Sequence, residues 1–231
     1  MKKILCALLV ALMFVLIPFQ GFAHGKSNLE IVSKVNEGSN KYMNWSLTTP
    51  QVKGLKNRSV ERSINKQFRN DVNNFKKEVL AMAKEAYKES QETGFPFNPF
   101  QAYTEYDLHL LKPKLLSLTM NVYQFTGGAH GFTVKKAYNY NLKTGKELGY
   151  QDIFKDCDYK SVIIARVSEE IRRNPEIYFD DALDTVKNFT DDQPFYITKE
   201  GIVVYYGLYE IAPYAAGIRE FFIPFTDCGC S

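Results

Sequence analysis

The sequence of 231 residues carries 29 basic and 26 acidic side chains, 45% hydrophobic and 14% aromatic residues. This length fits one large domain or two small ones, and no repeat, low-complexity stretch or long linker divides it. A net charge of +3 without a basic or an acidic block excludes the electrostatic footprint of a nucleic-acid binder and of a protein drawn to a basic partner.

Lys2 and Lys3 precede an apolar run from Ile4 to Ile17, followed by Pro18 and Gly21-Phe22-Ala23. The run is shorter than the roughly 20 residues that span a bilayer, and the small residues suit a signal peptidase. Residues 1–23 are therefore expected to be a secretory signal peptide cleaved after Ala23, with an uncleaved membrane anchor as the alternative. Loss of Lys2 and Lys3 brings the net charge from +3 to +1. In an oxidising compartment Cys157 is free to pair with Cys228 or Cys230. Cys228-Gly229-Cys230 lacks the two further ligands of a closed zinc site, so neither a metal nor a cofactor is expected.

Alternation over 29–35 and 42–47 predicts a hairpin turning at Asn36-Glu37-Gly38-Ser39. Val60, Ile64, Phe68, Val72, Phe75, Val79, Met82 and Ala86 then recur at helical intervals. Asn57 or Ser59 stands at the N-terminus of that helix and Thr93-Gly94 at its end. An aromatic and proline connector, 95–100, leads to a strand placing Tyr103, Glu105, Asp107 and His109 on one face. The next strand alternates Leu116, Leu118, Met120 and Val122 with Ser117, Thr119, Asn121 and Tyr123. After the turn at 125–131 a partner strand from Phe132 completes an antiparallel meander. A second helix is expected over 159–173, a short one over 181–188, and strands over 195–198, 202–211 and 221–225. Pro224 has no amide proton, which puts the last strand at an edge. Antiparallel hairpins with helices inserted between them make the class α+β.

Two loops carry the candidate chemistry. In Phe125-Thr126-Gly127-Gly128-Ala129-His130-Gly131 the glycines permit a tight turn, with Gly128 expected to tolerate a side chain poorly, and His130 is a near-neutral titrating group. No nucleophile motif stands beside it, so a turn-holding role is favoured over catalysis. In Tyr209-Glu210-Ile211-Ala212-Pro213-Tyr214-Ala215-Ala216-Gly217, Glu210 sits among apolar residues, where a carboxylate needs hydrogen bonds. A structural lock on a glycine-rich turn is favoured over general-base work. Tyr209 and Tyr214 are read as core rings or as a binding ridge.

These two loops, together with Leu142-Lys143-Thr144-Gly145-Lys146, Asp152-Ile153-Phe154 and Ile223-Pro224, resemble a bacterial extracytoplasmic module. It occurs in RsiV-type lysozyme-sensing anti-sigma factors and in PdaC-type peptidoglycan deacetylases. The resemblance implies a PdaC-like N-terminal half over 24–124 and an RsiV-like C-terminal half over 125–231. With only Met1-Lys2-Lys3 before the apolar run, the chain is not expected to hold a sigma factor. With no deacetylase domain before Ser231, it is not expected to inherit that activity. The expected function is a secreted or cell-surface binding module for a lysozyme-like protein or a peptidoglycan fragment, with Gly127, Gly128, His130, Tyr209, Glu210 and Tyr214 as binding residues. The alternatives are a hydrolase using His130 with Glu210 and a structural envelope protein.

Overall fold

The computed structural model describes residues 29–229, so the expected signal peptide and Cys230 lie outside the described residues. Strands β1 (Glu30–Ser39) and β2 (Met43–Lys53) form the first hairpin. Its turn falls at 40–42, later than the sequence suggested, because Asn40 Oδ1 accepts the amides of Tyr42 and Met43 at 2.8 and 3.0 Å. Asn36 and Glu37 instead reach across the ladder to Trp45 and Ser46. Gly38 lies in the strand opposite Trp45, whose ring occupies the place of a Cβ, 2.4 Å away, so the position needs glycine.

Helix α1 (Arg58–Thr93) starts at Asn57, whose side chain accepts from Ser59 and Val60, and stops at Gly94 in the left-handed region. Its 36 residues span about 54 Å. Val60, Ile64, Phe68, Val72, Phe75, Val79 and Ala83 are buried against the first sheet. Ala83 takes the place expected for Met82, which is exposed. The 3.6-residue period carries the stripe past Met82, and Ala83, on the stripe, is small enough to pack closely. Phe68, fully buried, meets Tyr138 and Tyr140 edge-on at 5.1 and 6.2 Å.

Strands β3 (Phe100–Lys112), β4 (Leu115–Phe125) and β5 (Phe132–Asn141) form the expected meander. The five strands lie in the order β1-β2-β3-β4-β5. One pair departs from the all-hairpin expectation: β2 and β3 run parallel, Met43 opposite Phe100, because α1 returns the chain to the same end of the sheet. The register shifts between Leu108 and Leu110, and the His109 ring stays on the outer face, against Thr119 and Tyr196.

The second half contains α2 (Tyr150–Ile153), α3 (Tyr159–Arg173), α4 (Ala182–Lys187) and the sheet β6 (Phe195–Ile197), β7 (Gly201–Tyr206), β8 (Arg219–Pro224). The strand expected over 202–211 ends at Tyr206, where Gly207 and Glu210 close a turn. Strand β8 is at an edge, as Pro224 requires. Cys157 pairs with Cys228, tying the start of α3 to the end of the chain.

Among the described residues two large apolar cores result, one from Met43 to Leu142 and one from Tyr150 to Ile223, with a small third cluster of Tyr196, Val203 and Tyr205. The sheet thus keeps β5 with the first core, whereas a division at 124/125 cuts the β4–β5 hairpin. Strand β6 rests on the outer face of the first sheet, the face away from α1. Ser117 and Thr119 are fully buried there, although alternation had marked them as a polar face. Their hydrogen bonds explain why they are tolerated. Ser117 Oγ donates to Asn139 Oδ1 at 2.7 Å and accepts the Ile197 amide at 2.8 Å, while Asn139 Nδ2 donates to the Phe195 carbonyl.

Candidate functional site: a cleft on the outer face of the first sheet

The second half covers only part of that outer face. The remainder forms the floor of a cleft of about 760 Å³, walled by the loop between β7 and β8. Alternation puts Ser46 and Thr48 of β2, Tyr103 and Glu105 of β3, Asn121 and Tyr123 of β4 and Thr133 and Lys135 of β5 on this side. Leu208, Tyr214 and Ile218 face them from the loop. The Tyr103 and Tyr123 rings stack at 5.8 Å and 19°.

The glycine and histidine turn forms one lip. The Tyr123 ring lies over Gly131, where an added Cβ would stand 2.3 Å from it. The Tyr214 hydroxyl donates to the Gly131 carbonyl at 3.0 Å, and its ring stacks on His130 at 3.9 Å. His130 Nδ1 lies 2.9 Å from the same carbonyl. A carbonyl only accepts, so Nδ1 carries the proton and Nε2 is free to accept from the Tyr209 hydroxyl at 3.4 Å. His130 is exposed and its ring is engaged on both sides.

The two loops singled out in the sequence therefore meet, through Tyr209 and Tyr214 on His130 and Gly131. Glu210 is exposed rather than sunk among apolar groups, and its Oε2 accepts the Gly207 amide at 2.6 Å. The polar end points out of the turn while Ile211 and Ala212 beside it are buried. Glu210 thus locks its own turn, in which Tyr209 adopts the left-handed φ of 65°. Gly127 and Gly128 do not line the cleft, and of the six expected binding residues Tyr214 alone does. The expectation for Gly128 is corrected as well. Its φ is ordinary and a Cβ there meets nothing within 4 Å, whereas Gly127 has φ 86°.

Sequence reasoning passed over the floor. Tyr103, Glu105, Asn121 and Lys135 lie on strands whose outward residues resemble any solvated face, and which outward residues stay uncovered depends on where β6 docks. Asn121 Nδ2 is 3.4 Å from Glu105 Oε1, and its Oδ1 is shielded without a donor. Lys135 forms a close ion pair with Glu220, which also accepts from Tyr196 at 3.1 Å. Beside this network His109 stacks on Tyr196 at 3.7 Å and its Nε2 lies 2.9 Å from Thr119 Oγ1. Burial lowers the His109 pKa, Asp107 and Glu220 raise it, and Lys135 lowers it further.

Among the described residues no group of three or more His, Cys, Asp or Glu side chains is placed to hold a metal ion. No helix among them is long and apolar enough to cross a membrane.

The fold and cleft define a two-part α+β module in which a sheet with one long helix displays an open aromatic face beside a smaller disulfide-linked half. Residues 36–133 match the family described as deacetylase PdaC, and residues 151–226 match the protein family of unknown function DUF3298. The chain is thus similar to a known family in each half, and to a PdaC-type and an RsiV-type protein over 80% and 76% of its length. It is 28% identical over 189 residues to the peptidoglycan-N-acetylmuramic acid deacetylase PdaC of Bacillus subtilis, covering 80% of this chain and 38% of that protein. It is 28% identical over 184 residues to the anti-sigma-V factor RsiV of the same organism, covering 76% of this chain and 61% of that protein. The chain thus spans less than two thirds of either relative. A DUF3298 family protein from Bacteroides fragilis has the same fold, with TM-score 0.63 and 21% identity over 87% of this chain and 92% of its own. A second, from Pseudomonas aeruginosa, matches with TM-score 0.53 and 18% identity over 88% and 94%.

Proposed function

We propose that the protein is a secreted or cell-surface binding module, without catalytic activity of its own, that recognises a wall-related ligand. The ligand is a lysozyme-like protein or a peptidoglycan fragment. One observation carries this reading: the cleft is open and aromatic, and Lys135, His130 and Glu210 in and around it are engaged by neighbouring protein atoms. His130 is committed to Gly131 and Tyr209, and Glu210 to Gly207. A hydrolase needs a positioned acid and base, or a nucleophile with its base, and the hydrolase pairing of His130 with Glu210 gains no support from these contacts. The similarity to a relative named for peptidoglycan supports the wall theme.

Export rests on the apolar run within residues 1–23, and N-terminal sequencing of the exported protein should start at His24. Pull-down and calorimetry with lysozyme and with purified muropeptides test the binding role. Binding of either supports the reading; binding of neither overturns it.

A further inference from the structure

We infer that the cleft takes a neutral oligosaccharide of the N-acetylhexosamine class, laid across the Tyr103 and Tyr123 rings. The inference rests on the binding-module reading above and names the ligand chemistry of the same site. Size comes first: about 760 Å³ lies within the roughly 300 to 1,000 Å³ of small-molecule sites, enough for a short oligosaccharide and small for a folded partner's surface.

The chemistry of the floor then selects among small ligands. A pyranose ring presents an apolar C–H face and a polar edge, and the floor offers the complement of each. The Tyr103 ring, 38% exposed and backed by the Tyr123 ring, provides the apolar surface. Ser46, Thr48 and Thr133 place hydroxyls around that surface. Leu208 and Ile218 supply an apolar wall against which an acetyl methyl can pack.

Charge argues against the competing ligands. Glu105 and Lys135 are the charged residues lining the cleft. The Lys135 side chain is 14% exposed and paired with Glu220, so a polyphosphate or other anionic polymer would gain no free cation and would meet the Glu105 carboxylate. The orphan on the floor is informative too. Asn121 Oδ1 has no donor, and its amide nitrogen holds Glu105 only at 3.4 Å. A rotation of that side chain offers the oxygen to a donor on the ligand, an acetamido N–H or a sugar hydroxyl. Tyr214, held by Gly131 and His130, closes the far side as a ring already fixed in place.

The experiment is a titration of the isotope-labelled protein with the β-1,4-linked tetramer of N-acetylglucosamine, followed by amide NMR shifts and calorimetry. The de-N-acetylated tetramer and lysozyme are run in parallel. The inference expects the acetylated tetramer to shift the amides of Tyr103, Asn121, Tyr123 and Tyr214. It also expects Tyr103→Ala to weaken binding by roughly tenfold, while Tyr103→Phe retains it. Asn121→Ala should weaken binding of the acetylated tetramer. If Tyr103→Ala fails to fold, the shift map and Tyr103→Phe decide.

Absence of tetramer binding overturns the inference, as does binding unaffected by Tyr103→Ala or shifts confined to another surface. If lysozyme shifts the cleft amides and the tetramer does not, the saccharide class is overturned and the binding-module reading stands. If the tetramer, muropeptides and lysozyme all fail to bind, both are overturned.

Discussion

Three glycines in one turn have three different obligations. Gly131 must be small because the Tyr123 ring lies where its Cβ would go, 2.3 Å away, so Gly131→Ala should cost about 1 to 3 kcal/mol. Gly127, at φ 86°, should lose about 1 kcal/mol on change to Ala. Gly128→Ala or Val meets open space at an ordinary φ and should change stability by less than about 0.5 kcal/mol. Thermal unfolding of the three variants checks the order, and a large loss at Gly128 alone would contradict it. That glycine would be needed somewhere in this turn was legible; which one was not, since the demand comes from a ring packed across the hairpin.

A second residue carries a pH dependence. Burial lowers the folded pKa of His109 below its ordinary 6.5, so on acidification the unfolded chain takes up the proton first. Stability contributed by the neutral imidazole is complete above pH 6.5 and is lost as pH falls through 6.5 toward the lowered folded value. Urea midpoints between pH 7.5 and 5 should therefore decline, and His109→Gln should flatten the decline.

At the scale of elements, α1 was readable because its cap, period and stop are all local. Asn57→Ala should cost about 1 kcal/mol, measured by chemical denaturation, since it strips the acceptor from the Ser59 and Val60 amides. Strand β4 was half readable. Its apolar residues mark the inner face, but its polar residues gave no warning that β6 would bury them. Ser117→Val should cost about 2 to 3 kcal/mol, as it leaves the Ile197 amide and Asn139 Oδ1 unpaired in a buried junction. If the cost is near zero, the junction is looser than these hydrogen bonds imply. The parallel pairing of β2 and β3 was also hidden, because strand patterns carry no sign of direction.

Over the whole molecule, two cores are joined by the Ser117 and Asn139 network, the Lys135–Glu220 ion pair and the stack of His109 on Tyr196. Within the second core the Cys157–Cys228 bond closes a loop of 71 residues. The chain-entropy estimate for such a loop is about 4 kcal/mol. Replacing both cysteines by serine should lower the melting temperature of the second half more than that of the first. Hydrogen exchange resolved by region would report this, and equal loss in both halves would show that the two cores unfold as one unit.

The sequence by itself determined the α+β class, the long helix with its caps, the edge position of β8 and the family resemblance, because each rests on short-range periodicity, turn chemistry or fixed motifs. It also marked both loops that meet at the lip of the cleft. The tertiary structure decided the rest. It showed that Glu210 closes its own turn, that Cys228 is the partner of Cys157, and that an outward strip from four strands becomes a cleft floor. A side chain's orientation across a strand is local, but whether that face meets water, β6 or a ligand depends on contacts tens of residues away.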